Sequence, residues 1–181
     1  MRRSDKKMAD RSAVEGVLAS CAVGRLGTVG PDGWPMVKPV NFAYDRGRLY
    51  FHTAREGEKI DHLRAEPRVC FEAHQPVAYV RPRAQACEAD YLFRSVIARG
   101  RAVFVEDPEE KREALGLLMD KYEGPGRWPP LPDAKVAAVG VVRIDVEELV
   151  GKEHLGKGRL RERAEAALNG VETLPVVLER E

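Results

Sequence analysis

The chain predicts a mainly β fold with peripheral helices, in which about six antiparallel strands form a meander curled into a small barrel. Three observations carry this. Runs that alternate apolar and polar residues recur along the first 150 positions, separated by short turns rich in Gly, Pro and Asp. Between Met36–Tyr44 and Arg48–Thr53 stands Asp45-Arg46-Gly47, a hairpin signal because Gly supplies the positive φ of a tight loop. The helical patterns are short and fall outside the strand runs, so they decorate the sheet and do not build the core.

Taken in order, Asp10 or Ser12 can cap a first helix carrying Val14, Val17 and Leu18, with Glu15 three residues after Ser12 completing a capping box. Cys21 to Val29 alternates as a strand, and Pro31-Asp32-Gly33 turns it into a second strand from near Trp34 through Tyr44. Arg48 to His52 is the third strand, and Glu58 to Ala65 is a helix stopped by Pro67. Arg68 to His74 makes a fourth strand around Cys70, which reads as a core residue. Gln75 to Asp90 holds two prolines and loses periodicity, which predicts an irregular surface connection or lid. Tyr91 to Glu106 is one long strand, bulged around Gly100. Asp107-Pro108 opens a helix with Ala114, Leu117, Leu118 and Tyr122 on its apolar side, and Gly124-Pro125-Gly126 closes it. Ala137 to Val146 is the last strand. The expected organisation is one domain over residues 1–181, with 157–181 a helical or irregular C-terminal extension.

A net charge of +1 gives no electrostatic reason to invoke nucleic acid. The basic N-terminus lacks the apolar core of a signal peptide, and no run approaches a membrane span, so a cytoplasmic location away from the membrane is expected. Cys21, Cys70 and Cys87 form no C-x-x-C pair. Neither a disulfide framework nor a thiolate metal site is expected, and the histidine spacing suggests no metal pair, with His62 expected on the exposed side of its helix.

The chemistry is concentrated after the third strand. Thr53-Ala-Arg-Glu-Gly-Glu-Lys59 offers a hydroxyl, a permissive backbone position and cations ahead of a helix carrying Ile60 and Leu63. Free N–H groups and the positive end of the helix dipole can hold a phosphate at such a junction, with Lys59 adding full charge. The bland alternative for Lys59 is a solvated surface charge, and for Val37 to Val40 a plain core strand. Pro39 cannot donate to a ladder, so its strand must bulge or lie at an edge.

Three stretches, Cys21 to Ala73, Tyr91 to Asp107 and Val141 to His154, resemble in order the flavin-binding split barrels related to pyridoxamine 5'-phosphate oxidase, nearest the 5-nitroimidazole reductase branch. The resemblance implies a six-stranded antiparallel split β-barrel that pairs as a homodimer, with cofactor sites at the dimer interface. It implies FMN contacts at Val37, Lys38, Pro39 and Val40 beside the ring, and at His52, Thr53 and Lys59. Phe93-Arg-Ser-Val96 matches the branch's Tyr-Arg-Ser-Val, which implies Arg94 and Ser95 near the phosphate or ribityl chain. The branch also has a His at the place of His52, the candidate catalytic residue, and relatives carry Arg-Lys where this chain has Glu58-Lys59. The implied activity is reduction of small electron-poor substrates, nitroaromatics among them. No Gly-x-Gly-x-x-Gly motif occurs, so NAD(P)H would act as a transient donor over the flavin. A single phosphate cradle points to FMN and not FAD. The C-terminal Arg-Trp motif of pyridoxamine-phosphate oxidases proper is not found in Val141 to Glu181. The alternative is a non-enzymatic flavin- or haem-binding module, a carrier or a sensor.

Overall fold

The structure, a computed structural model, describes residues 4–170 and 174–180. Its elements are α1 (Arg11–Ser20), β1 (Gly24–Val29), β2 (Pro35–Val40), β3 (Ala43–Asp45), β4 (Arg48–Thr53), α2 (Glu58–Ala65), β5 (Arg68–Arg81), β6 (Asp90–Phe104), α3 (Pro108–Glu123), α4 (Asp133–Ala138), β7 (Gly140–His154), α5 (Arg159–Asn169) and β8 (Val176–Glu179). Hydrogen-bonded neighbours follow the order β2-β1-β5-β6-β7-β4-β3, with β8 added to β5. The chain divides into two compact units, and β5, β6 and β7 contribute to both.

The larger unit comprises Leu18–Ala73 and Ile97–Leu149. β1 and β2 form an antiparallel hairpin from Gly24 opposite Val40 to Val29 opposite Pro35. β3 and β4 form a second hairpin closed by Arg46 and Gly47 alone. Both of these residues have positive φ, 43° and 85°, as a two-residue loop matched to strand twist requires. Side chains alternate about the sheet as period two demands: Val69, Phe71 and Ala73 are buried, whereas Cys70 is exposed. Leu26, Phe42, Leu49, Phe51, Ile60, Leu63, Phe71 and Ile144 form the centre, with Phe42 edge-on to Phe71 at 4.8 Å between ring centroids. α3 is capped as its sequence suggests, the Asp107 carboxylate accepting from the Glu110 N–H at 2.8 Å.

The described residues of the smaller unit are 4–17, His74–Val96, 150–170 and 174–180. Its core is Val77, Ala78, Val80, Leu92, Leu155, Ala164 and Leu178. Thus α5 and β8 supply apolar residues to a core, and β8 pairs parallel with β5 from Ala78 opposite Val176 to Arg81 opposite Glu179. Of the expected C-terminal extension, 171–173 and 181 lie outside the described residues.

Several local expectations are corrected. The run Met36 to Tyr44 is two strands, interrupted at Asn41-Phe42. Strand β5 continues to Arg81 through the stretch expected to be a lid, because Val77, Ala78 and Val80 have a core to fill. β7 starts at Gly140, after α4, and runs to His154, beyond the expected end at Val146. Asp10, not a capping box, holds the start of α1: its carboxylate accepts from the Ser12 N–H at 3.0 Å, while Glu15 pairs with Arg11. His62 is buried, its Nδ1 sharing a hydrogen bond with the Thr28 hydroxyl at 3.1 Å. Eight strands are present among the described residues where about six were expected.

β6 and β7 lie close together at Gly100, where an added Cβ would stand 2.1 Å from the Asp145 carbonyl oxygen. A backbone atom cannot rotate away as a side chain can. Gly100→Ala should therefore cost about 1–3 kcal/mol or more, read as a fall of several degrees in Tm by calorimetry. An unchanged Tm would show that the strands part freely there.

Candidate functional site

β4 ends at Thr53, and a four-residue loop leads to α2. Gly57 closes that loop at φ +114°, a region open to glycine and strained for any other residue. It caps α2 without a side-chain hydrogen bond, so the first N–H groups of the helix have no side-chain acceptor. Lys59 follows in the first turn. Its ammonium lies 5.1 Å from the centroid of Phe51 on β4. Burial, and then the nearby Lys38, hold the pKa of this lysine below the ordinary value. Lys38 itself reaches from β2 to Glu58, Nζ to Oε2 3.0 Å, with both side chains substantially exposed; such a pair contributes little to stability. Among the described residues no carboxylate lies within ion-pair distance of Lys59.

β2 is an end strand bonded to β1 only, with Pro39 opposite Arg25. Its edge position is the one the missing proline N–H demands. Val40 is buried, Pro39 is exposed and Val37 is 64% exposed. Val37 lines, with Val29, Met36, Cys70 and Gly100 among others, an open cavity of about 420 Å³, and Trp34, just before β2, is 74% exposed. His52, opposite Val141 on β7, is exposed. Thr53, on the other face of β4 with Phe51, lines a cavity of about 180 Å³.

The structure thus brings Lys38, Glu58 and Lys59 together, between the edge strand and the start of α2. Arg94 and Ser95 belong to the smaller unit. There the Arg94 guanidinium donates to Glu153 at 3.2 Å, and Glu153 also accepts from Arg161 at 2.7 Å. The neighbouring Phe93 packs near His74, His154 and the Lys152 ammonium, 5.6, 6.2 and 5.2 Å from its ring centroid. His154 Nε2 is 2.9 Å from an Asp90 carboxylate oxygen. Among the described residues no group of three or more His, Cys, Asp or Glu is arranged to hold a metal ion, and no helix is long and apolar enough to cross a membrane.

Sequence reasoning missed two participants. The Lys38–Glu58 pair joins residues twenty positions apart on different elements, and nothing local signals it. Lys111 is buried on α3 with Ala114 and Leu118. Its signal was available, since it stands three and seven positions before those two residues, on the same helix face.

Residues 10–153 match the family model described as pyridoxamine 5'-phosphate oxidase. The chain belongs to the pyridoxamine 5'-phosphate oxidase family. Its fold is shared with solved structures, among them a candidate 5-nitroimidazole antibiotic resistance protein from Bacteroides thetaiotaomicron VPI-5482, with 29% identity, a TM-score of 0.71, and 81% of this chain and 86% of that one covered. A protein from Mesorhizobium loti described as FAD-binding is 25% identical, with a TM-score of 0.58 over 82% of this chain and 97% of its own. A flavocytochrome from Azotobacter vinelandii, 23% identical, has a TM-score of 0.74 over 90% of this chain and 77% of its own, and shows the fold alone. No curated protein sequence matches the chain significantly. The expected mainly β, split-barrel class with peripheral helices stands for this family member.

Because Lys38 contributes to the lowered pKa of Lys59, removing the partner of Lys38 should strengthen that effect. Glu58→Gln is expected to lower the Lys59 pKa further, followed through its ε-methylene NMR signal in a pH titration. A pKa that stays put or rises would mean that Lys38 does not act on Lys59.

Proposed function

We propose that this chain is an FMN-dependent oxidoreductase. The observation that carries the reading is Lys59: a half-buried ammonium without a carboxylate partner among the described residues, in the first turn of a helix whose N-terminus lacks a side-chain cap, beside an edge strand. This donor set fits a flavin phosphate. The ammonium and the first N–H groups of α2 would hold the anion, and the Thr53 hydroxyl would donate to it. The edge of β2 from Val37 to Val40 would offer backbone groups to the polar rim of the ring, with Val37 covering its face. His52, exposed and adjacent to Thr53, would face the substrate.

Bound there, the flavin supplies two-electron redox chemistry, with NAD(P)H as transient donor and a small electron-poor molecule, nitroaromatic in the nearest reading, as acceptor. The 29% identical relative described as a candidate 5-nitroimidazole antibiotic resistance protein supports that substrate class. A second copy of the chain would cover the exposed Val29, Trp34 and Val37, which supports a homodimer. The net charge of +1 gives no electrostatic support to a nucleic-acid or membrane-surface partner, and a cytoplasmic small-molecule enzyme is the reading kept.

The absorbance spectrum of the purified protein tests the reading. Flavin bands bleached by NAD(P)H, with FMN released on heating, are expected. A Soret band, or flavin that NAD(P)H leaves oxidised, would replace the enzyme by a haem or flavin carrier. Site placement is tested by titrating apoprotein with FMN at two salt concentrations. Lys59→Ala should weaken FMN about tenfold to a hundredfold, the worth of one charge-assisted hydrogen bond. Glu58→Arg should tighten it, and both effects should shrink as salt rises. Equal affinity in wild type and both variants would move the phosphate away from α2.

A further inference from the structure

The cavity that Thr53 lines contains a second unmatched charge. Its walls include Arg55, Arg64, Phe104, Glu106 and Lys111, giving three cations against one carboxylate, in a volume of about 180 Å³. Lys59 and Lys38 are not among the lining residues. At its base Lys111 is only 4% exposed. Nearby carboxylates are engaged elsewhere. Glu110 accepts from Arg143 at 2.7 Å and from the Tyr50 hydroxyl at 3.2 Å, and Glu106 lies 3.9 Å from Arg55. The Lys111 ammonium has no ion pair among the described residues and is not sealed from solvent, while its own N–H bonds to the Asp107 carbonyl in the helix ladder.

The Lys111 side chain is largely covered while its ammonium has no counter-charge among the described residues, and it stands in the first turn of α3, at the positive end of the helix dipole. The other two cations converge on the same space from different elements. Arg55 comes from the loop before α2, with its side chain more than half exposed. Arg64 comes from the last turn of α2, its guanidinium stacked 5.7 Å from the Phe104 centroid and 3.9 Å from Asp61. An oxyanion seated over Lys111 would supply the missing counter-charge and would meet the planar donors of Arg55 and Arg64 at the mouth. The space equals about six water volumes, enough for a phosphoryl group and too small for a nucleotide.

We propose that this cavity is a binding site for a tetrahedral oxyanion, a phosphate or the phosphoryl group of a small ligand, separate from the flavin phosphate at Lys59. The assignment does not depend on flavin binding.

The test is calorimetric titration of the purified full-length chain with inorganic phosphate at constant ionic strength. Wild type should bind about one equivalent saturably. Arg55→Gln and Arg64→Gln, both at exposed positions, should each weaken phosphate about tenfold or more, and Lys111→Met should abolish binding. In phosphate-free buffer Lys111→Met should leave Tm close to that of wild type, because it keeps the buried aliphatic stem; a fall of several degrees would assign Lys111 a structural partner and overturn the proposal. Absence of saturable binding in wild type, or wild-type affinity in the two arginine variants, would also overturn it. Saturation with FMN should leave phosphate binding intact. Displacement of phosphate by FMN would make this the flavin's own phosphate pocket and end the claim of a separate site. If FMN fails to bind at all, the phosphate titration still reads this site, and only the function proposed above is lost.

Discussion

Two residues, Asn41 and Phe42, join the strand at one end of the sheet to the strand at the other. Seven strands in line would span about 29 Å if flat, at about 4.8 Å per neighbour. The chain from Val40 to Ala43 can cover about 11 Å at most. The sheet of the larger unit must therefore curl until β2 and β3 come near each other, and the other contacts in that region serve this closure. The Phe42 N–H donates to the Tyr122 hydroxyl at 2.9 Å, and that hydroxyl donates to the Ala22 carbonyl at 2.6 Å. One side chain from the end of α3 thus pins the crossing to the segment before β1. Phe42 is fully buried against Phe71, and the Lys121 ammonium lies 3.4 Å from its ring centroid while donating to the Leu18 carbonyl at 2.9 Å. Burial holds the pKa of Lys121 down to about 8, the electrostatic cost of packing a lysine against the residue that turns the corner.

Closure also explains why the candidate site is where it is. A proline at 39 forbids a second ladder partner on its N–H side, so β2 can only be an end strand, and the curl carries that end round to the β3–β4 hairpin and the loop after it. Lys38 can then reach Glu58 although the two belong to different elements. An exposed backbone edge, a positively charged helix start and an apolar surface are brought into one region by topology, with no single residue responsible.

Much of this was legible in the sequence wherever the signal is local. Asp45-Arg46-Gly47 marks a hairpin because only a loop with two positive-φ residues fits between the paired strands, and Asp107-Pro108 marks a helix start because each residue suits its cap position. Non-local balances were not legible. Asn41 and Phe42 read as strand since neither breaks one, and only the far-off Tyr122 shows that the chain turns there. Gln75 to Arg81 read as loop because of Pro76, yet the apolar surfaces of α5 and β8 make a strand the better use of Val77, Ala78 and Val80. Cys70 and His62 exchanged their expected environments for the same reason. Register decides which side of β5 faces inward, and the partner on β1 decides which face of α2 is covered. The positions of Val37 to Lys59 along the chain were evident, whereas the salt bridge that links them was not.

That salt bridge alters the meaning of Glu58. Read along the sequence, a glutamate beside Lys59 opposes any anion at the helix start. In the structure its carboxylate is turned to Lys38, so the three residues together carry one net positive charge, and that charge resides on Lys59. The ring of Phe51 beneath the ammonium interacts with it favourably but does not neutralise it. Burial without a counter-ion is what holds its pKa low, and an anion at the α2 terminus would oppose that shift by favouring the charged form. Glu58 thus pairs with the outer cation and leaves the inner one without a carboxylate among the described residues.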